Sequence, residues 1–201
     1  MSTDQLERIF GPVATSTRCK KRHRRTIEET VQLAVEIARE GREGRKIGTL
    51  FVVGDVERVL EHSRPLLLDP LYGHPRDLLN VGRPDFRESV KELAQLDGAF
   101  LVDDDGTFAA AARYIDVAPG APLTPGLGTR HAAAASVTAE TGAVAVVVSQ
   151  SSVVRVYADG EIRSEIIPEL FLLSQEQLFT PHAAVSQVPE AGITVAVADG
   201  P

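Results

Sequence analysis

The 201 residues carry 43% apolar and 24% charged side chains, a mixture that fits an ordinary globular chain with a sizeable core and excludes fibrous and disordered classes. A net charge of −7 and a pI near 5.3 argue against a surface adapted throughout to nucleic acid, which leaves only a local basic patch open. Cys19 is the only cysteine, so no intramolecular disulfide or cysteine-based zinc site can form; with no apolar run of about 18 residues and no signal peptide, a soluble cytoplasmic chain without membrane contact is expected.

In chain order, residues 1–46 read as an N-terminal basic arm and helix. Met1 to Phe10 suits a short helix or frayed arm that Gly11-Pro12 breaks. The run Arg18, Lys20, Lys21, Arg22, His23, Arg24 and Arg25 is the densest positive charge and reads as a solvated approach to a helix. Contact with nucleic acid is its sharper reading, weakened because no aromatic residue is interleaved to stack on bases. Ile27, Val31, Ala34, Val35 and Ala38 mark one helical face, with Thr26 and Glu29 spaced as a capping box and Gly41 and Gly44 as terminators. Ile47 to Val53 then reads as a buried strand with a turn at Gly54-Asp55. Gly48 and Gly54 lack the spacing of a dinucleotide fingerprint and are taken as a structural bend. A short helix at Val56 to Glu61, an irregular stretch from Pro65 to Pro84, and an amphipathic helix from Pro84 to Leu96 lead to Asp97.

Asp97-Gly98-Ala99 precedes a strand at Phe100 to Val102, and Thr107 to Val117 returns as its hairpin partner across Asp103-Asp104-Asp105-Gly106. The triple aspartate is assigned to a solvated tight turn rather than to a metal cluster. A Pro/Gly-rich loop then brings Gly126, Gly128, Thr129, Arg130 and His131 to the start of a helix over Ala132 to Glu140. Glycines admit an anion to the backbone, a helix start favours negative charge, and Arg130 adds a forked donor, so this loop is suited to phosphate. Ala143 to Val148 has no polar residue, the pattern of a strand buried on both faces, and it delivers Ser149 and Gln150 to a rim. A second hairpin joins Val153–Tyr157 to Glu161–Ile166. Residues 168–201 form a C-terminal helix and tail, with a helix from Pro168 to Phe179 and a strand-like segment at Ile193 to Val197. Together these elements give an α/β (α+β) fold, a mixed and partly antiparallel sheet flanked by helices.

Residues 47–167 resemble the catalytic domain of the diadenylate cyclases, which join two ATP into cyclic di-AMP. That family carries Asp-Gly-Ala before a core strand, Gly-Thr-Arg-His-Arg-Ala-Ala opening a helix, and a strand ending in Val-Ser-Glu. The counterparts here are Asp97-Gly98-Ala99, Gly128-Thr129-Arg130-His131-Ala132-Ala133 and Val148-Ser149-Gln150, with Ala132 in place of the second arginine and Gln150 in place of the glutamate. The resemblance implies a metal-dependent nucleotidyltransferase acting in a homo-oligomer whose site lies across a two-fold interface. Asp97 would bind Mg²⁺ or Mn²⁺ as the first catalytic residue, with Arg130 and His131 as the other two. Thr129, Arg130 and His131 would hold the triphosphate, Ser149 would hydrogen-bond phosphate, Gln150 would belong to the substrate-binding set, and Gly98, Ala99 and Gly128 would let the nucleotide approach the backbone. A sensor of ATP or cyclic di-AMP with weak or no activity is the second reading, and a nucleic-acid contact through the basic arm is the third.

Overall fold

The computed structural model describes residues 21–66, 68–118, 125–168, 183–188 and 193–198. The short helix or frayed arm expected at Met1 to Phe10, Cys19, and all but the first residue of the helix expected from Pro168 to Phe179 lie outside these residues, and Pro168 itself ends a strand. Helix α1 (Lys21–Glu40) starts five residues before Thr26, so the expected capping box is not its beginning. The Thr26 hydroxyl donates instead to the Asp104 carbonyl at 2.8 Å, and the Asp104 carboxylate meets His23 Nδ1, also at 2.8 Å. A partner far away in sequence therefore overrides the local pattern. The triple-aspartate turn is anchored rather than merely solvated, because Asp103 also pairs with Arg76 at 3.2 Å. Of the basic run, His23 is buried, while Arg24 and Arg25 pair with Glu28 and Glu29 one turn on.

The sheet is built around β1 (Thr49–Val53), all five residues of which are buried. After α2 (Val56–Glu61) comes β2 (Ser63–Pro65), a short edge strand that the proline-rich sequence did not suggest. A 3₁₀ turn at Arg76–Leu78 and α3 (Pro84–Leu93) follow, then β3 (Ala99–Val102) and β4 (Phe108–Ile115). Helix α4 (Thr129–Glu140) begins three residues earlier than expected and leads into β5 (Val144–Val148), β6 (Val154–Ala158) and β7 (Glu161–Pro168). Strands β8 (Ala183–Val188) and β9 (Ile193–Ala198) complete a nine-stranded sheet in the order β2-β4-β3-β1-β5-β6-β7-β9-β8. The strand-like Ile193 segment thus finds β7 on one side and β8 on the other. Only β1 and β3 pair in parallel among the described strands, so the sheet is mixed, as expected, and more antiparallel than the sequence suggested.

Alternation along β1 sorts the core into two layers. Phe51 and Val53 join Ile27, Val31 and Ala34 of α1 on one face, whereas Leu50 and Val52 join Ala133, Ala134 and Val137 of α4 on the other. Burial on both faces is why β5, and β1 from Leu50 onward, read as unbroken apolar runs. On the α1 face, Phe108 is packed edge-on against Phe51, Phe86 and Phe100 at centroid distances of 6.2, 5.0 and 5.7 Å. This ring joins β1, β3, β4 and α3 in a single contact set. Replacing it by alanine (Phe108→Ala) should lower unfolding free energy by about 3–5 kcal/mol in urea titration, the usual range for a buried aromatic ring. A loss below about 1 kcal/mol would mean that the other rings collapse into the space.

Candidate nucleotide site

The register of β1 assembles the site. Because β3 runs parallel to β1, with Leu50 opposite Ala99, the start of β3 lies beside the start of β1. Because β5 runs antiparallel, with Thr49 opposite Val148, the end of β5 lies there too. Asp97-Gly98 and Ser149-Gln150 are thereby placed on either side of one strand end, although about 50 residues of chain separate them.

Helix α4 brings the third segment. Gly128 takes the N-cap position with extended backbone, no side chain among the described residues caps the helix, and its first turn holds no acid. Its leading N–H groups and positive dipole end therefore face outward for an anion. Arg130, in that first turn, sits over Gly48: a Cβ on residue 48 would stand 2.8 Å from Arg130 Nη1 and 3.3 Å from Gln150 Cγ. Gly48 provides clearance for two site residues, a role beyond the expected bend. Arg130 Nη2 reaches Asp97 Oδ1 at 3.6 Å, with the carboxylate 91% exposed. An ion pair this open is worth only about 0–1 kcal/mol and yields readily to a ligand.

Two cavities meet at Arg130. One, of about 620 Å³, is walled by Gly128, His131, Ser149, Gln150 and Arg155. The other, of about 510 Å³, is walled by Asp97, Ala99, Arg113, Tyr114 and Ala132, while Thr129 and Arg130 face both. The structure thus brings every expected site residue to one region but divides them between two compartments. Gly98 lines the second compartment, yet its lack of a side chain answers a local need: at φ +102° a Cβ would fall 2.7 Å from the Ala112 backbone, where β4 bulges. The Ser149 hydroxyl bonds to Ser151 Oγ at 2.8 Å and accepts from the Val153 N–H at 3.1 Å, shaping the rim loop as well as facing the cavity.

His131 differs from a charged phosphate ligand. Its ring is 7% exposed and bonds through Nδ1 to the Tyr157 hydroxyl at 3.0 Å. Burial, reinforced by Arg155 and Arg130, pushes its pKa down to about 4, so the imidazole is neutral at ordinary pH. Burial also raises the Tyr157 phenol, which stays protonated. The pair ties the helix start to β6 and offers no positive charge to a ligand.

The sequence reading missed Gly48, Arg113, Tyr114 and Arg155. For Arg155 a signal exists, since an arginine inside the apolar run Val153 to Tyr157 must find a buried partner. That partner is Glu165 on β7, at 2.6 Å, with the two side chains 3% and 0% exposed. Among the described residues, no group of three or more His, Cys, Asp or Glu is arranged to hold a metal, and no helix is long and apolar enough to cross a membrane.

An arginine shared by two cavities at a helix start, facing an exposed carboxylate, gives this α+β fold a site suited to an anion. Comparison with known proteins makes the class specific. The chain belongs to the DAC family, described as DisA bacterial checkpoint controller nucleotide-binding, whose profile matches residues 36–162. It is 42% identical over 154 residues to a diadenylate cyclase of Methanocaldococcus jannaschii, covering 76% of this chain and 49% of that protein. A diadenylate cyclase of Haloferax volcanii is 37% identical over 147 residues, covering 72% and 54%. The chain spans about half the length of these curated relatives. Among solved structures, DacA from Staphylococcus aureus is similar at TM-score 0.45 and 24% identity, covering 72% of this chain and 88% of its own. A hypothetical membrane spanning protein from Bacillus cereus is similar at TM-score 0.48 and 21% identity, covering 68% and 61%.

The His131 environment sets a pH dependence. An unfolded imidazole titrates near 6.5 and the folded one near 4, so between those values the unfolded chain binds the extra proton. Stability is therefore full above pH 6.5 and falls as pH drops towards 4, by about 3 kcal/mol in all. In denaturant titrations the His131→Gln variant should lose about 2 kcal/mol of the difference that the unsubstituted protein shows between pH 7 and pH 4.5. Equal pH slopes for the two would sink the neutral-histidine assignment.

Proposed function

We propose that this chain is the catalytic part of a diadenylate cyclase that condenses two ATP into cyclic di-AMP, releasing two pyrophosphates, across a face-to-face pair of copies. The observation that carries the proposal is the meeting of Asp97 and Arg130 at the wall between two cavities, 3.6 Å apart, beside an uncapped helix start. The reaction needs those parts: an acidic group near the attacking hydroxyl, cationic donors on the triphosphate, and room for two nucleotide portions. The names of the two archaeal relatives support the same chemistry.

In each half-reaction the 3′-oxygen of one ATP attacks the α-phosphorus of the other. A new P–O bond forms, the bond from α-phosphorus to the β-phosphate oxygen breaks, the hydroxyl proton is released, and pyrophosphate leaves. The helix-start N–H groups, Thr129 and Arg130 would hold phosphate oxygens, and Arg130 would exchange Asp97 for the ligand. Ser149 and Gln150 would contact phosphate from the rim. Gly98, Ala99 and Gly128 would keep side chains out of the nucleotide's way, with Gly98 also serving the β4 bulge. His131 would act by fixing the helix start rather than by charge.

Asp97 is the residue proposed to hold a divalent cation, Mg²⁺ or Mn²⁺. Its exposed carboxylate would be the protein's contact to such a cation. Such a cation supplies charge neutralisation and lowers the pKa of a bound hydroxyl. Each copy presents one such site, so joining two ATP calls for two copies facing each other.

Ala132 and Gln150 favour a second reading, a nucleotide sensor, because both lack charges that the family motif supplies. Incubation with ATP and Mn²⁺ followed by mass spectrometry separates the two. The protein should yield cyclic di-AMP, chelation should stop it, and Asp97→Asn should abolish product while ATP binding persists. A protein that binds ATP but forms no product with Mg²⁺, Mn²⁺ or Co²⁺ is the sensor, and a fully active Asp97→Asn would falsify the role of Asp97.

A further inference from the structure

The methyl of Ala132 lines the same cavity as Asp97, so the helix contributes no second arginine there. The sheet contributes one. Arg113 on β4 faces that cavity, and its backbone lies directly opposite Ala99 in the sheet register. From this placement we infer that Arg113 is a nucleotide-binding residue, supplying from the sheet the cation that position 132 lacks and donating to phosphate oxygen of the bound nucleotide. The inference rests on the nucleotide-binding reading of the site.

Three observations carry it. First, the side chain is held in place: Nε donates to Ser63 Oγ at 3.3 Å, and Nη2 donates to the Ser63 carbonyl at 2.9 Å and to its Oγ at 3.1 Å. An arginine fixed on one edge loses little further freedom when a ligand takes the other edge. Second, those bonds use Nε and Nη2 only, and among the described residues Nη1 has no hydrogen-bond partner. Third, its charge is not countered. Arg130 is paired with Asp97, Arg155 with Glu165, and Arg64, on the neighbouring strand, with Asp116. Arg113 makes no ion pair with any described carboxylate, its recorded partners being neutral oxygens of Ser63. A positioned cation with spare donors, half-buried at a cavity wall, is suited to an anionic oxygen.

The placement depends on the β4 irregularity. Register shifts between the Ala99/Arg113 and Leu101/Ala110 pairs, with Ala112 at φ +51°, put an extra residue into the strand just before Arg113. Without the bulge, alternation would send the arginine to the other face of the sheet.

The test uses ATP calorimetry and cyclic di-AMP production on the unsubstituted protein and three variants. Arg113→Gln, which keeps a donor for Ser63 and removes the charge, should weaken ATP binding roughly ten- to a hundredfold and raise KM in parallel. Arg113→Lys, which keeps the charge and loses the fork, should bind ATP more tightly than the glutamine variant. Arg113→Gln combined with Ala132→Arg should recover most of the lost affinity, because the charge returns to the same cavity from the helix. A purely structural role predicts otherwise, since an arginine at 132 cannot restore the contact with Ser63. Unchanged affinity in Arg113→Gln, or no recovery in the double variant, overturns the inference while leaving the cyclase proposal standing. If the unsubstituted protein binds no ATP, the nucleotide reading falls and this inference falls with it.

Discussion

Pairing of β1 with a parallel neighbour on one side and an antiparallel neighbour on the other is the constraint on which the site depends. In a wholly antiparallel sheet the start of β1 would have strand ends of one kind on both sides. Here it has the start of β3 and the end of β5, so the segment entering one strand and the segment leaving another are forced together. The register is protected energetically, because a one-residue slip of β1 would drive Phe51 and Val53 towards the small alanines of α4 and Leu50 and Val52 towards the aromatic cluster. Core packing and site geometry are consequences of the same alternation.

Much of this was legible in the chain because dry strands and their polar ends differ so sharply in composition. The run Ala143 to Val148 could only be a buried strand, Asp97 and Ser149 stood at the ends of such runs, and Arg130 stood at the head of an alanine-rich helix. Gly48 was legible as a glycine but not in its purpose, since nothing in the sequence says that a guanidinium from residue 130 will lie against it. Arg113 was hidden for a different reason. Its face is decided by a bulge, and a bulge breaks the two-residue rhythm from which faces are read. The Thr26 and Glu29 spacing misled because Asp104, far along the chain, offered Thr26 a better partner than the helix start did. The short strand at Ser63 was masked by Pro65, which an edge strand tolerates.

The electrostatics of the site follow from how each arginine is held. Arg130 is balanced by a carboxylate that remains open to solvent, so its partner can be exchanged. Arg155 is balanced by one that is wholly buried and cannot be exchanged without cost. His131 lies near both, and their fields together with burial keep it uncharged. The positive charge beside the helix start is therefore carried by guanidinium groups and not by the imidazole.

The pairing of Arg155 with Glu165 also bears on how this sequence can change over generations. Removing either partner alone takes away the close counter-charge of a buried ion, a loss of about 3–5 kcal/mol and a large part of the stability of a typical domain. Replacing both with apolar residues of similar volume is far milder. Divergence at the floor of the larger cavity is thus restricted to paired steps across β6 and β7. Single substitutions accumulate more easily at the exposed rim, so ligand preference in descendants of this chain can drift there while the cavity floor stays as it is.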